Sequence, residues 1–330
     1  MIQHTAIIPL IASSAISCLM FLFAGWKSFL IIRRWDIRSG SELQLQLERA
    51  TYLISTIIGF VLFFQIISLF LYIATVDHLH NLLAGAMCAA GSLNANGFGY
   101  PVLILKTVTC LFGGVWLVIN HVDARGYDYP LIRPKYVLLL ALAPLVSAET
   151  VLQFLYFSNL DAQVITSCCG SLFNAGTGTL ASGLAGLPRV PMEVALTAAI
   201  GVICLIGLRF RITGKGGYLF AVASTLAFVV AIASMISFVS LYVYELPTHH
   251  CPFCILHKEY SYVGYPLYAA LLGGGISGIS VGTLMPASNI PSLAKVLPGI
   301  LHKLTTITIL LYLAFGLAVT LLVLHSALKF

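Results

Sequence analysis

Eight uninterrupted apolar runs, each long enough to cross a lipid bilayer as a helix, constrain what this 330-residue chain can fold into. A helix rises 1.5 Å per residue, so about 20 apolar residues span a hydrocarbon layer roughly 30 Å thick. The runs lie near 6–32, 51–75, 101–120, 136–157, 191–210, 218–243, 262–285 and 304–326. They are continuous, whereas the strands of a membrane barrel alternate in short segments, so a β-barrel is excluded. Charged residues make up 8% of the chain and hydrophobic residues 59%, too little charge to cover a water-facing surface on all sides. The expected fold is an all-α, polytopic integral membrane helix bundle of about eight transmembrane helices. Residues 1–330 are expected to form a single membrane domain with the lipid bilayer as its solvent.

Lysine and arginine set the expected sidedness, because they are retained on the inner face of a membrane. Met1-Ile-Gln-His-Thr5 lacks the basic start of a cleavable signal, and Lys27, Arg33 and Arg34 follow the first apolar run. The first helix is therefore expected to be retained with its amino end outside. The inner loops are then 33–50, 121–135, 211–217 and 286–303. With their flanks they hold Arg33, Arg34, Arg38, Arg49, Arg125, Arg133, Lys135, Arg209, Arg211, Lys215, Lys295 and Lys303. The outer loops 76–100, 158–190 and 244–261, with the tail, hold only Arg189, Lys258 and Lys329. Both termini then face outward. The net charge of +6 reflects this topology and does not point to nucleic acid. Loops this short fit a bacterial inner membrane, with the outer loops in the periplasm or outside.

That orientation gathers the reactive side chains on one face. Cys88, Cys168, Cys169, Cys251 and Cys254 fall in outer loops, as do His4, His78, His80, His249, His250, His257 and His325. Cys18, Cys110 and Cys204 sit within the apolar runs and read as small packing residues. The loops resemble one another. Met87-Cys-Ala-Ala-Gly-Ser-Leu-Asn-Ala-Asn96 and Ser167-Cys-Cys-Gly-Ser-Leu-Phe-Asn-Ala175 share Gly-Ser-Leu followed by Asn-Ala, and Gly99-Tyr-Pro101 matches Gly264-Tyr-Pro266. Either an internal repeat or turn-rich loops converging on proline at the first helical position accounts for this; Pro191 fits the same rule.

The densest chemistry is in Glu245-Leu-Pro-Thr-His-His-Cys-Pro-Phe-Cys-Ile-Leu-His257. A Cys-x-x-Cys pair can cycle between dithiol and disulfide, hold a soft metal, or form a static bridge. With Cys251 as a helix N-cap and Pro252 in the first turn, the helix end would stabilise a thiolate on Cys251, leaving Cys254 as resolving partner. A second exchanging pair is drawn from Cys88, Cys168 and Cys169. A vicinal bond between the last two would be strained, because adjacent α-carbons are about 3.8 Å apart. On the metal reading, His249, His250 and His257 join Cys251 and Cys254 around Zn²⁺ or Cu(I).

Inside the membrane, Lys106 and Glu149 sit at similar depths, with Gln153 one turn from Glu149. A structural ion pair is the plain expectation; a proton or quinone site near the outer surface is the functional one. His78 and His80 lie at a helix end, a poor placement for haem ligation. The chain carries no CxxCH, P-loop, HExxH or strand-borne GxGxxG signal.

The leading expectation is a membrane thiol–disulfide oxidoreductase that exchanges with an outer-face thiol protein and passes electrons to or from a lipid quinone. In joining a cysteine pair to quinone it resembles the DsbB and vitamin K epoxide reductase families. The likeness covers the CxxC idea alone, since those families have a four-helix core and carry their cysteine pairs differently. The alternatives are a soft-metal (Cu or Zn) handling membrane protein and a membrane anchor subunit of a respiratory complex with structural cysteine bridges.

Overall fold

The computed structural model describes residues 5–37, 39–161, 166 and 180–328. The chain is all-helical, with no strand among the described residues. Among the described residues eight helices are long and apolar enough to cross a membrane, one for each apolar run. In chain order the helices are α1 (Ile7–Arg34), α2 (Glu42–His78), a short α3 (Ala89–Leu93), α4 (Gly99–Asp123), α5 (Ile132–Ser158) and a short α6 (Leu180–Ala185). There follow α7 (Arg189–Thr213), α8 (Gly217–Ser234), α9 (Ser240–Tyr244), α10 (Gly264–Leu284) and α11 (Leu297–His325). A π turn, Met235–Val239, joins α8 to α9 as one continuous span.

Two compact units emerge. One comprises Met1–Val76, Ala95–Ala162 and Pro286–Ile300; the other comprises Asp77–Asn94, Gln163–Met285 and Leu301–Phe330.

In the first unit, buried positions repeat at steps of three and four, the spacing of one helix face. On α5 the row is Leu139, Leu142, Val146, Glu149, Gln153 and Tyr156; on α2 it is Ile54, Ile58, Leu62, Gln65, Leu69 and Tyr72. Phe21, Ala24 and Ile31 of α1 and Trp116 of α4 complete the core. The opposite faces carry exposed Leu19, Phe23, Trp26, Tyr52, Phe60 and Phe63, an arrangement suited to lipid rather than water. The α4–α5 turn is closed by Asp123. Its Oδ1 accepts the Leu131 N–H at 2.9 Å, and its Oδ2 pairs with Lys135 Nζ at 2.5 Å.

In the second unit, α8 and α10 cross closely. A Cβ on Gly282 would lie 2.5 Å from Ala221 Cβ, so a larger residue there would force the helices apart. Tyr312 of α11 donates to the Ser224 carbonyl at 2.8 Å, and Thr308 donates to Ser277 Oγ at 2.9 Å.

Two local expectations are corrected. The α2 helix starts nine residues before its apolar run, because Ser41 Oγ accepts the Gln44 N–H and Gln44–Glu48 and Gln46–Glu42 bond one turn apart. Pro101, Pro191 and Pro266 are third, not first, in α4, α7 and α10. All N–H groups of a first turn lack an intrahelical acceptor, so proline is accommodated there as well.

Candidate functional site

The second unit builds its site from two loops. The first leaves α2 through a 3₁₀ turn, Leu79–Leu82, and passes Gly85 at φ +82°. A Cβ on Gly85 would stand 2.6 Å from the Thr166 carbonyl oxygen, and the Thr166 N–H bonds to the Ala84 carbonyl at 2.9 Å, so glycine is required twice over. The chain then extends through Cys88 into α3.

The second loop depends on the π turn before α9. A π turn shifts the backbone ladder by one residue and presents carbonyls to other donors. Here the Ile236 carbonyl meets Ser240 Oγ at 3.2 Å and His250 Nδ1 at 3.0 Å. The α9 helix ends at Tyr244, whose hydroxyl donates to the Cys251 carbonyl at 2.5 Å; Tyr268 of α10 donates to the Pro252 carbonyl at 2.7 Å. These two bonds hold both carbonyls from outside the segment, and the Ile255 N–H reaches the Tyr244 hydroxyl. The expected N-cap at Cys251 is therefore overturned: helical residues begin only at Cys254, in a three-residue 3₁₀ turn. Gly264 then lets α10 approach, since a Cβ there would lie 2.8 Å from Ile255 Cγ2.

The two loops bring Cys88, Cys251 and Cys254 together, with all three sulfurs within 4.8 Å of one another. Cys88 Sγ and Cys251 Sγ are 3.5 Å apart, well beyond the bonded length of about 2.05 Å, and none of the three is in a disulfide. Cys88 and Cys251 are fully buried and Cys254 is 7% exposed.

Asp77 ties the loops to each other. Its Oδ1 accepts the Ala89 N–H at 2.9 Å, beside Cys88, and meets His257 Nε2 at 2.8 Å, three residues past Cys254. That bond to Asp77 is the main reason the His257 imidazole is held above its ordinary pKa of 6.5. His80 stacks on His257 at 6.0 Å and bonds through Nδ1 to the Asp77 carbonyl. His249 sets its ring against Tyr244 at 4.5 Å. Burial, with Cys254 nearby, pushes the Tyr260 hydroxyl above its usual pKa.

The three imidazoles expected around Cys251 and Cys254 thus have other partners. Among the described residues the grouped donor atoms are the three sulfurs alone. Cys168 and Cys169 lie outside the described residues. Asp77, Tyr244 and Tyr268 escaped the sequence reading; nothing in their local spacing marks them, and only the third dimension places them beside cysteines.

Lys106 and Glu149 meet in the first unit, and Gln153 lies one turn further along α5. Lys106 Nζ donates to Glu149 Oε1 at 2.8 Å and Ser68 Oγ at 3.1 Å, and Gln65 Nε2 donates to the same Oε1 at 3.3 Å. Gln153 Nε2 donates to the Leu10 carbonyl at 3.0 Å. Among the described residues Glu149 Oε2 and Gln153 Oε1 have no hydrogen-bond partner. Both are acceptors and so suit an N–H or O–H donor.

No protein-family model, curated protein or solved structure matches the chain.

Proposed function

We propose that this protein is an integral membrane metal-handling protein whose centre, Cys88, Cys251 and Cys254, holds one soft ion of the copper or zinc class. One observation carries the reading: three sulfurs from loops 163 residues apart in sequence converge within 4.8 Å. Cysteines serving only as small packing residues have no reason to meet in threes. A metal–sulfur bond of about 2.3 Å puts ligand sulfurs about 3.8–4.0 Å apart, inside the observed spread. Thiolates select such ions over hard cations. The ion would be captured on the outer face, the side that the lysine and arginine distribution favours for these loops. The buried Lys106–Glu149 network is read as the polar closure of the first unit.

The test is metal content. The full chain, purified reduced in detergent and offered copper or zinc, should retain about one ion per chain, and the Cys88→Ser and Cys251→Ser variants should not. Equal metal content in wild type and both variants would sink the reading.

A second reading rests on the 3.5 Å Cys88–Cys251 approach. The two thiols would join as a disulfide, releasing two protons and two electrons to a lipid quinone that becomes quinol, and Cys254 would then attack that bond by thiol exchange. A Cys254→Ser variant should then accumulate the Cys88–Cys251 disulfide under quinone, detectable by mass spectrometry.

A further inference from the structure

On the metal reading above, we infer that the Tyr244 hydroxyl is a wedge that holds the Cys251–Cys254 turn open and so sets the spacing of two of the ligand sulfurs. In a regular helical turn each N–H bonds to the carbonyl four residues back, which would join Ile255 to Cys251 and Leu256 to Pro252. The chain takes a different course. The Ile255 N–H reaches the Tyr244 hydroxyl, and the same hydroxyl donates to the Cys251 carbonyl at 2.5 Å. One oxygen atom is thus inserted where a direct N–H···O bond would stand. Two hydrogen bonds in series can separate the amide nitrogen from the carbonyl oxygen by up to about 5.5 Å, against about 2.9 Å in a closed turn. A side chain inserted into the helical ladder opens it locally in this way. The Leu256 N–H turns to the Phe253 carbonyl at 2.9 Å, the 3₁₀ pattern, and the Tyr268 hydroxyl takes the Pro252 carbonyl at 2.7 Å.

The wedge is rigid because the ring behind it is packed. Tyr244 ends α9 and is buried, its ring T-shaped to His249 at 4.5 Å and to Tyr260 at 4.7 Å. The two groups it joins flank the ligands: the carbonyl is that of Cys251, and the amide follows Cys254 directly. A change in their separation therefore moves one cysteine relative to the other. Ile255 is buried against α10, where a Cβ on Gly264 would stand 2.8 Å from Ile255 Cγ2, so the far side of the turn is held as well. Tyr244 acts on the ion through the two cysteines and is a positioning residue. Groups that orient ligands in this manner typically change metal affinity about 10–100-fold when removed.

The experiment compares two variants that each lose one buried hydroxyl. Tyr244→Phe keeps the ring and deletes the wedge; Tyr312→Phe deletes a hydroxyl that bonds the Ser224 carbonyl at 2.8 Å between α11 and α8. Full chains, reduced and anaerobic in detergent, are titrated with Cu(I) and with Zn(II), each buffered by a competing chelator, and the sulfur shell of the retained ion is read by X-ray absorption. Tyr244→Phe should bind about 10-fold or more weakly than the wild type, with fewer or more widely spread sulfur scatterers. Tyr312→Phe, whatever it costs in unfolding temperature, should bind as the wild type does. An unchanged affinity or sulfur shell in Tyr244→Phe, or equal weakening in Tyr312→Phe, overturns the wedge and leaves the metal site standing. Should Tyr244→Phe not elute as the wild type does, Tyr268→Phe, which releases the Pro252 carbonyl, decides in its place on the same criteria. Retention of neither ion above a Cys88→Ser/Cys251→Ser/Cys254→Ser variant that elutes as the wild type does overturns the metal reading itself.

Discussion

Asp77 concentrates the site's geometry in one oxygen atom, because the backbone beside Cys88 and the imaginary line to Cys254 through His257 both end on its Oδ1. Groups that orient metal ligands without touching the metal typically change affinity 10–100-fold when removed. Asp77→Ala should therefore weaken metal retention by about 10-fold or more, read by chelator competition, while Asp77→Asn, which keeps an oxygen for the Ala89 N–H, should lose less. Equal affinity in wild type and Asp77→Ala would show that the cysteines hold their positions unaided. The His257 partner adds a pH signature. Its folded pKa is raised, so the pair's contribution to stability is fully present below the unfolded value of 6.5 and disappears as pH rises through the raised folded value. Thermal unfolding of the wild type should exceed that of His257→Gln most at mildly acid pH, with the difference shrinking toward alkaline pH. A difference that grows with pH would mean that Asp77 does not stabilise the imidazolium.

Helices of the first unit are joined by charge as well as by apolar packing. Lys106 of α4, Glu149 of α5 and the α2 side chains Gln65 and Ser68 form one buried network. Removing one member of a buried pair strands the other's charge, at a cost of about 3–5 kcal/mol, whereas removing both is far less damaging. Lys106→Met should thus lower the unfolding temperature in detergent sharply, and Lys106→Met with Glu149→Gln should recover most of the loss. A double variant no better than the single one would show that the carboxylate is not the stranded charge. That Glu149 and Gln153 share a face was legible in the sequence, since they stand one turn apart in a largely apolar run; which way that face points was not, because leucines occupy every side of α5. The eight spans were legible for the same kind of reason: about 20 apolar residues in a row have few folded options. The start of α2 at Glu42 was not, because hydropathy marks the lipid-facing length and is blind to polar turns held by Gln44–Glu48 bonds. The course of Cys251–Cys254 was also hidden, for the tyrosines that claim its carbonyls are local on one side, Tyr244, but come from the next helix on the other, Tyr268. Cys88 could be named as reactive from its loop, yet its meeting with Cys251 spans 163 positions that no spacing rule crosses.

For the molecule as a whole, the sulfur cluster bears on topology through parity. In a chain whose spans each cross the bilayer, loops after even-numbered spans share one face. Cys88 follows the second of eight spans and Cys251 and Cys254 follow the sixth, so their convergence is compatible with crossing by every span between. One span fewer between them would set the loops on opposite sides of the membrane. Lysine and arginine then choose which face, and they favour the cysteine loops outside. Single reporter cysteines in a cysteine-free background, probed in intact cells with a membrane-impermeant maleimide, separate the two claims. Exposed positions suit the purpose: Met87 and Leu246 beside the cluster, Tyr127 between α4 and α5, and Lys215 between α7 and α8. Met87→Cys and Leu246→Cys should label from outside, and Tyr127→Cys and Lys215→Cys only after the membrane is opened. Reversal of both pairs would invert the orientation and keep the cluster; labelling of Met87→Cys without Leu246→Cys would mean that the loops lie across the bilayer from each other, and the three-sulfur centre could not form.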